Sequence, residues 1–454
     1  METLPEGARP EPEIAGPGGG SWRAWRITLA VLVLALHVGL YVAALLQQTS
    51  LTDDSIQYLR LADNWVEQGT FSQGYAAPYV PDMQRTPGYP AFLVALGRFL
   101  PLVLLFQHML VLLSALLVWR ILRARVPDRY AEIGAWLYAL MPYPAIFASM
   151  VLSETLFITL LLAATWQLLA GLEGPRWRSL ALGMGLLALA ALVRPVALPL
   201  LYLMAGYLAF CAWRWPAFRS PMLVAAVVLP AGLLLPWMLR NQAIGGRMTL
   251  SVMGDMGMLH GRLGGLGAYR DRASYDEMTL YRYGDSLASA EVGLPALRTY
   301  YSVLQTHETE RYDPAVGRIT WAYFLAHPID AVLFTFGNLT EMFKGVGLGW
   351  ATALIGSPKV AGLLAGWQGM CNAALFITVL FALRVWRQIP RWWWTCAVAA
   401  AAVLIVSAAA WADGRYRVVV DPWLLLMGVW SFAALSPYVN RRVRPLSART
   451  HRKR

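Results

Sequence analysis

Charge is scarce in this chain: Asp, Glu, Lys and Arg make up only 14% of 454 residues, against 58% hydrophobic residues and a mean hydropathy of +0.48. That shortage excludes a soluble globular fold, whose surface needs more charge than this. Cysteine is scarcer still. Cys211, Cys371 and Cys396 all fall in apolar stretches, where they behave as small hydrophobes and leave exposed loops without a disulfide. Histidine is rare as well, and His260 has no second histidine at a metal-ligand spacing. The glycine-rich GDMGMLHGRLGGLG around it lacks a GK[ST] ending, which excludes a P-loop. No small-residue cleavage site follows the first apolar stretch, so it reads as a retained anchor.

What the chain does have is a succession of apolar stretches of about 20 residues, the length that crosses a bilayer as a helix. The candidate spans are 27–46, 101–122, 130–149, 152–171, 178–193, 196–212, 221–239, 361–383, 393–411 and 418–436. The expected architecture is therefore an all-α polytopic integral membrane protein with about ten transmembrane helices. Residues 1–20 read as a disordered cytoplasmic tail, 21–239 as a first transmembrane region and 240–360 as a large extracytoplasmic loop. Residues 361–436 form the C-terminal transmembrane region, and 437–454 a basic cytoplasmic tail. With both termini cytoplasmic, more than half of the 38 basic residues lie inside, as the positive-inside rule asks. The net charge of +12 is thus mostly a topology signal, and no nucleic-acid partner is expected.

Function can then sit only in two outer segments, 47–100 and 240–360, and at the short outer turns. The first outer segment opens with the amphipathic stretch LTDDSIQYLRLADNWVEQG (51–69) and continues to a short apolar helix of about ten residues in MQRTPGYPAFLVALGRF (83–99), so two interfacial helices are expected. Asp54 and Gln57 stand at capping-box spacing, which makes Asp54 either an N-cap or a chemical group; Asp53 is its neighbour. Arg85, Arg194, Arg415 and Arg417 are cations at outer turns, where orientation disfavours them; each is either an interfacial anchor or the partner of an anion. Glu154 at the mouth of a span is either first-turn compensation of the helix dipole or a ligand contact. His108, inside a span, is either a packed hydrogen-bonded histidine or part of a polar cavity.

Read in order, DSIQY (54–58), RTPGYP (85–90), SETLF (153–157), LVRP ending at Pro195, PWMLRN (236–241) and RYRVVVDP (415–422) form a recognisable series. In order and topology it resembles the GT-C membrane glycosyltransferases, specifically the glycosyltransferase family 39 branch of aminoarabinose transferase and the protein O-mannosyltransferases. The chain departs from the family at Asp54-Ser55, where Asp-Glu is common, and at Arg85-Thr86-Pro87, where a basic residue precedes two prolines. The resemblance implies a polyprenyl-phosphate-linked sugar as donor and inverting transfer to a hydroxyl of a lipid, glycan or protein on the outer face of the inner (plasma) membrane. It implies Asp54 as general base, chosen over Asp53 by its distance from Tyr58. Arg85, Tyr58, Glu154, Arg194, Arg240, His260, Arg415 and Arg417 become candidate substrate contacts. No cofactor is required, and need for a divalent metal is left open. The chemistry is compatible: an inverting transfer needs one carboxylate as base, and a phosphate leaving group needs cations rather than an acid. A transporter or a non-catalytic envelope scaffold would share the spans without needing this clustering of acid and arginines at the outer mouths.

Overall fold

In lipid an apolar stretch must satisfy its own backbone hydrogen bonds, and it does so as a helix. The computed structural model describes residues 19–47, 51–174, 176–216, 222–273, 279–280, 282–284, 286–287, 315–344, 348–408 and 414–435, and every regular element among them is helical. Residues 1–18 and the basic tail 437–454 lie outside the described residues; Gly19 and Gly20, placed in the tail by sequence, already belong to the first helix.

The helices are α1 (Gly19–Gln47), α2 (Asp53–Glu67), α3 (Gly88–Ala95), α4 (Leu100–Arg123), α5 (Asp128–Leu140) and α6 (Pro142–Ala148). Then come α7 (Glu154–Glu173), α8 (Trp177–Val193), α9 (Leu198–Arg214), α10 (Met222–Gly245) and α11 (Met253–Met256), followed by a π-helix, Gly257–Gly264. The rest are α12 (Gly265–Arg270), α13 (Ala315–Ala326), α14 (Pro328–Lys344), α15 (Leu348–Ile355), α16 (Pro358–Leu380), α17 (Arg391–Ala408), α18 (Gly414–Val418) and α19 (Asp421–Leu435).

Six of the ten expected spans are helices long and apolar enough to cross a membrane: Trp22–Leu46, Leu100–Arg123, Glu154–Glu173, Pro195–Arg214, Pro358–Leu383 and Arg391–Ala408. Trp177–Val193 and Asp421–Leu435 are apolar but shorter, and α10 covers the expected seventh span. The expected third span, 130–149, is not one helix. Pro142 cannot donate a backbone hydrogen bond and pushes Met141 into an extended conformation (ψ 125°), so the stretch breaks into α5 and α6. The N–H of Tyr143, left over by the break, donates to the buried Gln368 Oε1 at 3.0 Å.

One continuous core joins the spans. One close seam is α7 on α8, where a Cβ at Gly183 would lie 2.6 Å from Leu168 Cγ. Small residues let helix backbones approach where lipid offers no hydrophobic drive between helices. The sequence left two roles open for His108, and the structure makes it a packed histidine. His37 Nδ1 and His108 Nδ1 lie 2.9 Å apart, His37 Nε2 faces Ala139 O, and His108 Nε2 lies 3.1 Å from Ser149 Oγ. Since only an N–H can meet Ala139 O, His37 carries its proton on Nε2, and His108 donates from Nδ1. The pair staples α1, α4, α5 and the end of α6.

The two helices expected in the first outer segment are present as α2 and α3. Asn64 Nδ2 donates to Ser72 O (2.8 Å) and Gly74 O (2.9 Å), folding the intervening loop back onto α2. Arg98 ties the end of α3 to Asp63 (2.9 Å) and Glu67 (2.7 Å) of α2. All the site segments emerge at one end of the bundle. The arginine-rich turns around Arg120, Arg125, Arg176, Arg214 and Arg387 lie at the opposite ends of the same helices.

Candidate active site

Thr52 caps α2: it is extended (φ −118°, ψ 174°) and its hydroxyl accepts from Ser55 N at 3.2 Å. This corrects the cap reading of Asp54, because Asp53 and Asp54 are both inside the first turn, about 100° apart around the helix. Asp53 is exposed, while Asp54 turns inward.

The inward carboxylate is gripped from two sides. Arg85 Nη2 reaches Asp54 Oδ1 at 2.5 Å, and Arg415 Nη2 reaches Oδ2 at 2.9 Å. Gln57, which capping-box spacing would aim at the helix end, instead accepts from Arg85 Nε (3.0 Å) and Nη2 (2.7 Å). Arg415 also donates to Glu154 Oε1 from Nε (3.0 Å) and Nη2 (2.7 Å), and Arg194 Nη1 meets the same oxygen at 2.7 Å. The result is a ladder of alternating charge, Arg85, Asp54, Arg415, Glu154 and Arg194, in which three cations face two carboxylates. Burial pushes the Asp54 carboxyl up, but the charges and hydrogen bonds of Arg85 and Arg415 outweigh it and hold the group well below the usual carboxylate range. Glu154 and Asp54 in turn raise Arg415 well above the ordinary arginine value against the opposing effect of burial. Tyr58, one turn beyond Asp54, shares a hydrogen bond with Ser153 Oγ (3.2 Å), and its ring lies 5.1 Å from the Arg85 guanidinium carbon.

Arg85 is aimed by the loop before it. Asp82 Oδ1 accepts from Gln84 N (3.0 Å) and Arg85 N (2.9 Å), and its Oδ2 accepts from Gln73 Nε2 (2.7 Å). Burial raises this carboxyl, which those hydrogen bonds and the nearby arginines partly offset. The far end of the turn is pinned where Thr86 Oγ1 donates to Val193 O (3.0 Å), and a Cβ at Gly88 would lie 2.7 Å from Leu192 O, so only glycine fits. Asp82→Ala strands three buried donors and is expected to destabilise the protein by about 2 kcal/mol or more, whereas Asp82→Asn, which keeps the Oδ1 acceptor, should cost less. Thermal unfolding in detergent measures both; equal losses would mean that charge, not acceptance, matters at this position.

The ladder lines a cavity of about 610 Å³, walled by Asp54, Tyr58, Arg85, Arg194, Arg415 and Tyr416, with His260 and Arg262 from the π-helix opposite. Arg262 went unnoticed in the sequence, since nothing local separates it from the other arginines of the long outer loop. Its Nη1 contacts Met258 Sδ, and no carboxylate pairs with it among the described residues. Glu154, by contrast, is wholly buried behind the arginines. Two candidates lie elsewhere. Arg240 is spent on the backbone, with Nη1 at 2.5 Å from Asp82 O and Nη2 at 3.4 Å from Phe71 O, and its guanidinium stacks on Trp237. Arg417 is 1% exposed and pairs with Asp421 at 3.1 Å, so it does not face the cavity. Neither lines the cavity. Their position near the motif was legible; the direction of their side chains was not.

A second, apolar cavity of about 480 Å³ is lined from Leu200 of α9, the residue after Pro199 in the wall of the first. It runs down the seam of α7, α9 and α17 past Leu203, Met204, Trp394 and Val398. Leu203, Trp394 and Val398 are more than half exposed, so this groove opens sideways to the surroundings of the bundle. Among the described residues no three of His, Cys, Asp and Glu gather as metal ligands.

Comparison with known proteins gives one match. Residues 92–239 match the family described as dolichyl-phosphate-mannose-protein mannosyltransferase. No curated protein and no solved structure matches. The matched third of the chain carries Glu154 and Arg194; Asp54, Arg85 and Arg415 lie outside it. Over that stretch the chain is similar to this mannosyltransferase family, which is of GT-C type, and the helical membrane architecture agrees with the similarity.

Proposed function

We propose that the protein transfers a sugar from a polyprenyl-phosphate donor to an acceptor hydroxyl, with inversion, at the extracytoplasmic face of the membrane. The observation that carries this reading is the convergence of Arg85 and Arg415 on Asp54 in the wall of a cavity at the mouth of the spans. The donor phosphate binds Arg85, Arg415 and Arg262, while its prenyl chain lies in the apolar groove that starts at Leu200. A lipid-borne donor accounts for a charged cavity and an apolar groove lined by neighbouring residues of α9.

Asp54 is the one carboxylate among the described residues that line the cavity, and inversion needs a single base. At rest it is masked by two guanidiniums. An incoming phosphate competes for those guanidiniums and so restores the basicity of Asp54 when a donor is present. The acceptor oxygen then attacks the anomeric carbon as its proton passes to Asp54. The carbon–oxygen bond to phosphate breaks, and its electron pair leaves on the phosphate beside Arg85 and Arg415. The abundance of arginine at the opposite ends of the spans supports an extracytoplasmic site.

The test is consumption of polyprenyl-phosphate sugars, with release of polyprenyl phosphate, by the purified protein in nanodiscs supplied with envelope extracts as acceptor. Wild type should consume at least one such donor. Arg85→Gln should lose a few kcal/mol of transition-state stabilisation, a rate loss of about 10² or more. A wild-type protein that neither binds nor consumes any of these lipids overturns the reading.

A further inference from the structure

The long segment between α10 and α16 contains a helix pair that the cavity does not explain. Together α13 and α14 are apolar enough to pass as one span, but the chain bends by 105° between them. Which side each neighbouring helix ends on decides what the pair can be. The C-terminal end of α10 lies at the site, where Arg240 holds the loop of Asp82. The C-terminal end of α17 is also at the site, since Val406 and Ser407 line the cavity. Its first residue, Arg391, is therefore a span away on the opposite side, and α16, which precedes it, starts back on the site side at Pro358. Between Gly245 and Pro358 the chain must cross the bilayer an even number of times.

A second crossing to accompany α14 is not available from its neighbours. Twelve residues of α13 extend about 18 Å and eight of α15 about 12 Å, against roughly 30 Å of hydrocarbon. In residues 271–314 charges recur too often for a span. A lone crossing by α14 would break the parity.

The elbow itself is charged. Arg270 Nη1 lies 2.9 Å from both the Tyr323 hydroxyl and His327 Nε2, and Arg270 Nε pairs with Asp330 at 3.2 Å, with a third or more of both side chains exposed. Such a cluster belongs in water or among headgroups, not at the bottom of a loop dipped deep into hydrocarbon. Beyond it, no charged residue stands between Asp330 and Glu341. Ala331, Phe334, Asn338 and Met342 form the buried face, with Asn338 Nδ2 donating to Ala408 O at 2.8 Å. The other face presents Ile329, Val332, Leu333 and Phe336, each at least half exposed, and the stripe continues across the bend to Leu325 and Trp321.

We propose that α13–α14 is an amphipathic elbow lying in the membrane interface on the site side, its apolar stripe in the lipid and its Arg270–Asp330 corner at headgroup level. The level agrees with the contact to the last residue of α17. The elbow also supports the cavity wall: Thr320 Oγ1 donates to Met258 O (3.2 Å), and Leu263 of the π-helix packs on Ile319 and Tyr323. The bilayer surface thereby becomes part of what holds His260 and Arg262 over the cavity.

The inference is independent of the proposed reaction and is tested without it. Single cysteines at Ile329, Val332, Leu333, Phe336 and Asp330, in a chain whose three native cysteines are alanine, carry nitroxide labels in nanodiscs. Collisional accessibility to oxygen and to a water-soluble nickel chelate then gives depth. The first four labels should sit roughly 5–10 Å into the lipid, all at similar depth, and the label at 330 should be aqueous. Nickel access equal at all five positions, depth rising steadily through the midplane along α14, or spin–spin broadening between two copies each overturns the proposal. Footprinting of the unmodified chain with lipid-soluble and water-soluble diazirines supplies the same contrast if a labelled variant fails to fold: the stripe should react with the former and not the latter.

Discussion

Asp54→Asn is expected to lower kcat by roughly 10²-fold or more while donor affinity holds or rises. Thr52, not Asp54, caps α2, so the substitution removes no cap hydrogen bond. Arg85 keeps Gln57 and Arg415 keeps Glu154, so neither guanidinium is stranded. Both lose a competing carboxylate, which leaves them freer for phosphate. A structural role for Asp54 would show the reverse pattern, with lower thermal stability and kcat and KM drifting together. The exposed Asp53 gives the internal control: Asp53→Asn should turn over at the wild-type rate. If Asp53→Asn is the inactive variant, the base is assigned one residue too late.

The same arrangement sets a pH dependence. In the free protein Asp54 is held well below its usual range, so kcat/KM should show no acid limb near the ordinary carboxylate value of about 4. With donor bound the phosphate takes up the arginines, and the acid limb of kcat should move upward from its free-protein position. For stability the sign is that of a depressed acid: the contribution is present above the unfolded value of about 4 and is lost as pH falls through the lower folded value. A single acid limb, unchanged between kcat and kcat/KM, would count against unmasking by the donor.

Glu154→Gln should be the most destabilising conservative change in the site, by about 3–5 kcal/mol. The carboxylate is wholly buried, and its Oε1 receives both Arg194 and Arg415, each with a side chain only 15% exposed. Glutamine preserves shape but leaves those two cations facing one another with Asp54 alone to compensate. The loss should appear as a large fall in the thermal midpoint in detergent and a reduced yield of folded protein. Arg415→Gln breaks the ladder differently, since Glu154 keeps Arg194 and Asp54 keeps Arg85; its larger effect should fall on turnover. If Glu154→Gln leaves the thermal midpoint unchanged and only donor binding suffers, then Glu154 meets the substrate rather than the scaffold.

Composition and span periodicity were sufficient for the helical membrane architecture, because lipid permits an apolar stretch only one backbone solution. The two helices of the first outer segment and the clustering of acid and arginine at one end of the bundle were legible for the same reason: charged residues beside spans have few places to go. The limits came where a side chain's direction mattered. Asp53 and Asp54 are chemically identical in the sequence and differ only by their turn about α2. Arg85 and Arg240 both border outer segments, yet one reaches a carboxylate and the other two backbone carbonyls. Arg415 and Arg417, two residues apart on a short helix, point to opposite surroundings, the cavity and the buried Asp421. Arg262 became visible only when the π-helix was set against the ladder. Sequence determined which residues stand near the bilayer surface, since hydrophobicity acts on stretches of chain and is read locally. Only the tertiary structure decided which of them meet, because the partners of Asp54 lie 31 and 361 positions away and no local pattern records such a pairing.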